Sequence, residues 1–582
     1  MRNYEIAAAL DELGTLYEID GAVRYRVLAY KDAARTVRES PVSVEELARA
    51  GRAVELPGIG KTLQEKIVAL LETGEIPSAT KLKKKFPPTL IAVTRVPGLG
   101  AKTARRLFDE LEIASLEDLR AAAEGEQIRE LKGLGPKVEE GILESLDRMK
   151  DTGDDAAAGR LLLSEVLPVA EELAAALREH PSADRVEVAG SARRRADTCK
   201  DIDLIATAEE PRKLAEALAD HPLIAAAGNP GENGARGLTH NGIPVDLRIV
   251  APQAFGNLLQ HFTGSAAHNV ALREEAVGRG LSVSEHGITE SESGKVHRYA
   301  TEEQVYKRLG YAYIEPELRE GAGELAAARA KKLPELVELG DIRGDLHSHT
   351  TLSDGKNSLE EMADAARERR YSYLAITDHS ATHGFGDDVS AERLWERIEE
   401  IRTLDAKMPR FHLLSGSEIN IGTDGSLDYP DDLVEALDWV VASIHTQFSN
   451  DSKKMTGRVL EAIENPLVDC IGHLTGRMLG RREPYPIDIE AVAEAAARTG
   501  TMLEINGNPN RRDLSDRHAR LAAEAGAMIV LNTDAHRVRT LDNMQYAVAT
   551  ARRAWLGPDQ IANTRGWREF ARLRKRASAK KN

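Results

Sequence analysis

The chain has 582 residues, enough for about three to five domains. Its 42% hydrophobic and 30% charged residues are ordinary for a soluble globular chain, and with only 4% aromatics the cores must be built from Leu, Val, Ile and Ala. A formal net charge of −16 argues against a uniformly basic polyanion binder, yet residues 1–110 carry 18 Lys and Arg against 15 Asp and Glu, so a polyanion would dock at the N-terminal part. The two cysteines, Cys199 and Cys470, exclude a disulfide scaffold and Cys-rich zinc modules. With no apolar run of 18 residues and an acidic N-terminus lacking a signal-peptide core, a cytoplasmic location is expected.

Residues 1–150 read as helical, with helices over 3–19 and 29–38 among them. Three near-repeats lie inside: LPGIGKTLQEKIVALL (56–71), VPGLGAKTARRLFDEL (96–111) and LKGLGPKVEEGILESL (131–146). Each is an apolar residue, a Gly-x-Gly turn and an amphipathic helix. The pairs Gly58/Gly60, Gly98/Gly100 and Gly133/Gly135 would present backbone N–H groups at a helix N-terminus, a site for phosphate that reads no sequence. One such copy could be a plain αα-hairpin; three favour DNA. These segments resemble the helix-hairpin-helix modules of DNA repair proteins. Lys66 sits in the first helix with Lys61 in its turn. A lysine near other cations can act as an amine nucleophile on a sugar aldehyde, although a solvated helix lysine is the ordinary reading.

From about 160 to 250 the pattern becomes mixed α/β. A helix over 165–179 leads to strands over 185–188, 202–206 and 243–250. In GSARRRADTCKDIDLIAT (190–207), Asp201 and Asp203 stand at i, i+2, on one face of a strand. Asp246 lies in a neighbouring strand, and three such carboxylates can hold two divalent cations. Gly190, Ser191, Arg193 and Arg194 can hold a triphosphate. A lone D-x-D is weak; with the upstream Gly-Ser-x-Arg-Arg and the downstream Asp it looks like the nucleotidyltransferase superfamily. Residues 251–318 are mixed, and 317–339, rich in Glu, Ala, Gly and Lys, reads as a surface connection.

From 341 onward, strand-like runs (374–377, 440–444, 502–505, 528–532) alternate with amphipathic helices, which suggests an α/β barrel. Nearly every apolar run ends in a metal-binding residue type. His347 and His349 stand at i, i+2, with Asp354 on the next loop; His379, Glu418, His445 and His473 follow; Asp534 and His536 are again at i, i+2. Barrel strand ends converge on one face, and six histidines with three carboxylates suit zinc or manganese better than calcium. Arg481, Arg482, Arg511 and Arg512 are candidates for backbone phosphates or simply solvated loop arginines. The tail 572–582 is basic and reads as frayed.

Two resemblances join these signals. The segment HFTGSAAHNVALRE (261–274) resembles the nucleotide-sugar segment of family X DNA polymerases, the polymerase beta family. The histidine set is similar to that of the polymerase and histidinol phosphatase (PHP) domain. The whole chain looks like the bacterial and archaeal type of family X polymerase. It would be a multidomain protein: a helical helix-hairpin-helix region, an α/β nucleotidyltransferase palm with thumb, and a distorted βα barrel.

The resemblance implies a lyase-like domain at 1–75, fingers at 76–155, palm at 156–250, thumb at 251–318, a linker at 319–340 and a PHP domain at 341–582. Asp201, Asp203 and Asp246 would be the catalytic metal triad with Mg²⁺ or Mn²⁺. Gly190, Ser191 and Arg194 would bind triphosphate, Phe262 and Gly264 the sugar, and Asn269 and Arg273 the nascent pair and template. Lys66 would be a Schiff-base lysine beside Tyr30. Two to three Zn²⁺, Mn²⁺ or Fe ions would occupy the barrel: one on His347, His349, Glu418 and Asp534, one on Glu418, His445 and His473, one on Asp354, His379 and His536.

Several positions depart from the family pattern: His261, Ala266, Lys200, Arg195 and Thr62. They bear on nucleotide affinity, sugar discrimination and lyase rate. The implied function is repair synthesis across short gaps on gapped or nicked DNA with dNTPs, plus 3′–5′ exonuclease or 3′-end phosphoesterase activity, in a monomeric, nucleoid-associated enzyme. The alternatives are a dedicated 3′-end nuclease with a weak palm and a non-catalytic DNA-end scaffold.

If DNA binding rests on a few phosphate contacts in the basic N-terminal part, affinity for gapped DNA falls with added salt. A fragment of residues 1–150 then keeps a measurable share of that affinity. A folded fragment that binds nothing at low salt in a fluorescence titration contradicts the hairpin reading.

Overall fold

The computed structural model describes residues 1–40, 42–94, 96, 99–131, 133–151, 160–382 and 388–575. Gly98, the boundary expected at 155/156 and most of the basic tail lie outside the described residues. The chain forms two compact units. The first contains Met1–Arg193, Thr198–Gly264 and Arg273–Val305; the second contains Arg194–Asp197, Ser265–Leu272 and Tyr306–Asn582.

In the first unit, α1 (Asn3–Ile19) and α2 (Arg24–Glu39) pack on Ile6, Leu10, Leu13, Ala33, Ala34 and Val37. Helix α2 starts earlier than the expected 29, because its first turn exposes Tyr25 and Leu28 and so carries no apolar periodicity. Each Gly-x-Gly turn opens a helix: α3 (Lys61–Thr73), α4 (Ala101–Leu111) and α5 (Pro136–Asp151).

Helix α6 (Leu163–Arg178) then packs on a five-stranded mixed sheet. The strands are β1 (Ala183–Val188), β2 (Ile202–Ala208), β3 (Ile224–Ala227), β4 (Gly234–Thr239) and β5 (Pro244–Ile249), in spatial order β1-β2-β5-β4-β3. Only β2 and β5 are parallel, and their register sets Asp203 opposite Asp246. Helix α7 (Phe255–Thr263) follows.

The second unit is built on seven parallel strands: β6 (Gly344–Asp345), β7 (Tyr373–Ile376), β8 (His412–Asn420), β9 (Trp439–Ser443), β10 (Cys470–Ile471), β11 (Met502–Asn506) and β12 (Ile529–Asn532). They pair in sequence order. A parallel bridge between Ser348, past β6, and Ala535, past β12, brings the two edges together, so the sheet is a nearly closed barrel. β7, β9, β11 and β12 are buried along their whole length, which explains their unbroken apolar runs. Helices such as α8 (Ala391–Asp405) connect them.

The barrel interior is apolar at one end, where Leu346, Tyr373, Leu414, Trp439, Val441 and Met502 meet Phe570 of the terminal helix α9 (Trp567–Leu573). Phe570 stacks on Tyr373 with centroids 4.6 Å apart and lies 5.6 Å from Trp439. The chain beyond α9 stays attached for two more residues: Arg574 donates to Asp438 O, and Lys575 to Ile463 O, Asn465 O and Thr501 Oγ1. The start of the basic tail is therefore docked, not frayed.

The segment expected as a surface connection is also packed. It forms the helix Glu324–Arg329, and Arg319 and Glu324 are buried. Charged residues suggest solvent, but pairing permits burial: Glu324 meets His268 at 2.7 Å, and Arg319 donates to Ile314 O at 2.9 Å.

Phe570→Ala removes the plug of the apolar end. It is expected to cost about 3–5 kcal/mol, read by calorimetry as a lower unfolding temperature for the second unit. An unmoved transition contradicts this account of the barrel floor.

Candidate functional site

The polar end of the barrel collects all nine residues singled out there. His347 and His349 stand just past β6 rather than on it, and the bridge at Ser348 keeps them on one face of an extended segment. Glu418 lies on β8, His379, His445 and His473 follow β7, β9 and β10, and Asp534 and His536 follow β12. Asp354 comes in from the loop after His349.

Glu418 is the hub and is almost fully buried. Its Oε2 lies 2.9 Å from His379 Nδ1, 3.3 Å from His347 Nε2 and 3.6 Å from His349 Nε2. Its Oε1 lies 2.8 Å from His473 Nε2 and 3.2 Å from His445 Nε2. Asp534 Oδ1 is 3.3 Å from His349 Nε2 and 3.8 Å from His347 Nε2. Asp354 Oδ1 is 3.1 Å from His536 Nε2 and 3.7 Å from His379 Nε2.

Among the described residues, three groups bring ligand atoms within 4.8 Å of one another: His349, Asp354, His379 and His536; His347, His349 and Asp534; and His379, Glu418 and His445. The grouping differs in part from the one the resemblance implies, because His349 and His379 each belong to two groups. Among the described residues, buried atoms here without a hydrogen-bond partner include His347 Nε2, both ring nitrogens of His349, His473 Nδ1 and Asp354 Oδ1. Buried polar atoms are costly when unsatisfied. Cations accepting these lone pairs would remove that cost, so the residues fit a metal cluster.

Protonation agrees with this fit at His349, His445, Glu418 and Asp534, whereas, against burial, the neighbouring carboxylates raise His347 and His379. Burial, then the neighbouring His536 and His379, pushes His349 down to about 4. Burial likewise brings His445 to about 4 against the pull of Glu418. Burial would raise Glu418 and Asp534, but the surrounding imidazoles hold both well below the usual carboxylate range. His536 moves the other way, up to about 9, because Asp354 and Asp534 outweigh burial. Neutral imidazoles and ionised carboxylates are the ligand forms of these side chains.

Several supporting residues carry no motif signal. Glu504, on β11, is fully buried. Its Oε1 lies 2.7 Å from His347 Nδ1 and its Oε2 accepts the His473 N–H at 2.7 Å. Asp378 accepts Thr350 N at 2.7 Å and Ser353 Oγ at 2.8 Å, bracing the loop that carries Asp354. An acid inside an apolar strand, as in MLEIN, was the available sign. The loop arginines divide: Arg481 is exposed, whereas Arg512 is buried, donates to Thr550 Oγ1 and Arg195 O, and pairs with Asp197 at 3.1 Å. Arg512 is thus no surface phosphate contact, because its guanidinium is buried inside the second unit.

In the first unit, β2 begins at Ile202, so Asp201 stands one residue before the strand. Gly190 has φ +63°, and a Cβ there would lie 2.2 Å from Asp203 Oδ2, so only glycine fits beside that carboxylate. Ser191 shares the short helix Gly190–Arg193. Asp246 accepts from Arg248 at 2.9 Å and faces Arg236 at 3.5 Å. The three carboxylates are not among the converging ligand groups.

Arg193 donates to Thr263 Oγ1 and Glu302 at 2.6 and 2.7 Å. Arg194 belongs to the second unit and donates to Glu320 at 2.9 Å; Asn269 is also in that unit. Phe262 lies on α7 under the Arg248 guanidinium, Gly264 ends α7, and Arg273 contacts His261 Nδ1 at 3.0 Å.

Lys66 Nζ donates to Ser78 at 2.9 Å and lies 5.9 Å from the Tyr30 ring centroid. Burial and Tyr17 push the Tyr30 hydroxyl up to about 12. At the hairpins, Gly60 and Gly100 cap α3 and α4 with ordinary negative φ. A Cβ at Gly58, Gly60, Gly100, Gly133 or Gly135 would meet nothing within 4 Å. Internal packing therefore does not require glycine at Gly60 or Gly100, whereas close approach of an external backbone would.

Comparison with known families matches a helix-hairpin-helix domain at residues 1–76, a SAM-like helix-hairpin-helix tandem at 90–148, the DNA polymerase beta thumb at 258–320 and the PHP domain at 345–508. The chain is 35% identical over 578 residues to the DNA polymerase/3′-5′ exonuclease PolX of Bacillus subtilis (strain 168), covering 99% of this chain and 100% of that protein. Probable phosphatases of Thermoanaerobacter pseudethanolicus and Syntrophotalea carbinolica are 32% and 31% identical over 38% of this chain, and over 89% and 90% of their own lengths.

Glu504→Gln replaces the carboxylate that orients His347. Loss of such a partner is expected to weaken metal retention by about 10–100-fold, measured by chelator competition with elemental analysis. Retention equal to the parent's would remove Glu504 from that role.

Proposed function

Because the chain belongs to the family X DNA polymerases that carry a C-terminal PHP domain, we propose that it fills short gaps in DNA by nucleotidyl transfer and degrades DNA 3′ ends by phosphodiester hydrolysis. The observation that carries the second activity is the convergence of nine histidines and carboxylates at one end of the barrel, with buried nitrogens left for cations. The first rests on the parallel pairing of Asp203 with Asp246 beside Gly190 and on the family. We assign residues 1–75 to a lyase-like module, 76–155 to fingers, 156–250 to the palm, 251–318 to the thumb and 341–582 to the phosphoesterase. The substrates are gapped or nicked DNA and dNTPs, the setting is cytoplasmic DNA repair, and the enzyme acts as a monomer.

Asp201, Asp203 and Asp246 would hold Mg²⁺ or Mn²⁺, and the nine barrel residues two to three Zn²⁺, Mn²⁺ or Fe ions. Such ions, when bound, supply Lewis-acid stabilisation of phosphoryl charge and lower the pKa of water and hydroxyl groups. The chain's own contribution is placement. Gly190 lets backbone come close to Asp203, where a triphosphate must lie, and Ser191 offers a hydroxyl beside it. In the barrel, Glu504 fixes which His347 nitrogen faces the cluster, and Asp378 fixes the Asp354 loop. The hairpin turns place N–H donors on DNA phosphates. Lys66, held by Ser78 and facing Tyr30, offers an amine for a 5′-deoxyribose phosphate.

A dedicated 3′-end nuclease with a weak palm is the second reading. It is favoured by the pairing of Asp246 with Arg248 and of Arg194 with Glu320, which nucleotide and metal must displace.

A 5′-labelled primer on gapped DNA with Mn²⁺, with and without dNTPs, reads both activities. Asp201→Ala or Asp246→Ala should cut extension by orders of magnitude and spare 3′ degradation; His347→Ala, His445→Ala or Asp534→Ala should do the reverse. Extension by Asp201→Ala within threefold of the parent, or degradation by His347→Ala at the parent rate, contradicts the corresponding site. A parent that never extends with dNTPs supports the second reading. Borohydride trapping on incised abasic DNA should fail for Lys66→Ala; equal trapping removes Lys66 from the lyase role.

A further inference from the structure

We propose that a cavity beside the metal centre is a subsite for DNA: it seats the phosphodiester of the nucleotide unit adjoining the one that is cleaved. The inference rests on the 3′-end phosphodiesterase reading above and names where that site grips its substrate. The cavity has a volume of about 330 Å³ and is lined by Thr351, Leu352, Asp388, Val389, Arg393 and Arg397.

Two of its walls carry the argument. Thr351 and Leu352 belong to the turn between His349 and Asp354, two of the converging residues. Asp378 holds that turn from both sides through Thr350 and Ser353. A group seated against Thr351 and Leu352 is thus in register with the cluster, because one braced loop supplies both. The second wall is α8, whose first turn is capped by Ser390 Oγ. Arg393 and Arg397 stand at i, i+4 and so share one face of this helix.

Arg397 is 8% exposed, and its buried Nε has no hydrogen-bond partner. Nη1 lies 3.4 Å from Glu400, and Arg393 pairs with Glu396; neither glutamate lines the cavity. Both side chains line the cavity, and an oxyanion is the natural complement of such a wall, since the planar guanidinium fork matches phosphate geometry.

Charge and size narrow the ligand. Both guanidiniums are already paired, with Glu396 and Glu400, so this wall suits a singly charged phosphodiester better than a more highly charged terminal phosphate. The volume is at the lower end for small-ligand sites. It accommodates one nucleotide unit, not a duplex, so the strand enters single-stranded and frayed from its complement.

The full-length, metal-loaded protein tests this with two substrates. Single-stranded dT12 reaches the subsite; thymidine 5′-p-nitrophenyl phosphate, a one-nucleotide ester, does not. Arg393→Ala changes an exposed side chain, Arg397→Met fills the buried volume without charge, and Arg397→Lys keeps the charge without the fork. For dT12 we expect KM to rise about tenfold in the first two variants with kcat within threefold, and Arg397→Lys to fall between Arg397→Met and the parent. Cleavage of the small ester stays within twofold of the parent. Fluorescence anisotropy with a phosphorothioate trithymidylate should show the same loss of affinity. Unchanged KM and affinity in both Arg393→Ala and Arg397→Met overturn the proposal, as does an equal loss on the two substrates, which would mark a purely structural role. A parent that hydrolyses neither substrate overturns the phosphodiesterase reading and this inference with it.

Discussion

A buried carboxylate ringed by imidazoles is the constraint on which the second unit turns. Glu418 has almost no solvent, and five histidines from four separate chain segments point nitrogens at its two oxygens. No isolated strand could tolerate such a group. It is stable only where a closed ring of parallel strands delivers its partners from all sides. The same closure leaves nitrogens that the protein itself does not satisfy, and this incompleteness makes the cluster a metal centre and not a structural ion-pair network.

The barrel divides its labour along its axis. At one end the interior is filled by Tyr373, Trp439 and Phe570, a close-packed floor contributed partly by the last helix. At the other end it is lined with groups that avoid apolar surroundings unless paired. Rigidity at the floor holds the strand ends in place, and Glu504 and Asp378 transmit that order to individual rings and loops. Metal ligands positioned by such a scaffold lose little entropy on binding cations, because their rotamers are already fixed by packing and by supporting hydrogen bonds.

The first unit is arranged on a different principle. Its carboxylates sit on a mixed sheet and are balanced by arginines from the same sheet: Asp246 faces Arg248 and Arg236. These pairs are partly solvated, so each contributes little to stability. The barrel cluster is buried and drawn from many chain segments; the sheet carboxylates are more open and paired with few groups. The two acidic clusters of the chain are thus of opposite character.

Many of the elements, and the residue types they carry, were legible in one dimension. Unbroken apolar runs marked four of the seven barrel strands because those strands are buried on both faces, and most of the nine clustered residues were legible because they follow such runs. The D-x-D and Gly-x-Gly spacings were legible for a similar reason, as they fix local backbone geometry. Only the tertiary structure decided what depends on contacts distant in the chain. Glu504 became the partner of His347 across 157 positions, Arg512 was drawn inside by Asp197 and lost as a surface contact, and the charged segment after Leu318 was buried through Glu324 and His268. Whether a charged side chain lies in solvent or in a pair is set by its partner's position, and one-dimensional spacing carries no record of a partner that approaches only when the sheet closes.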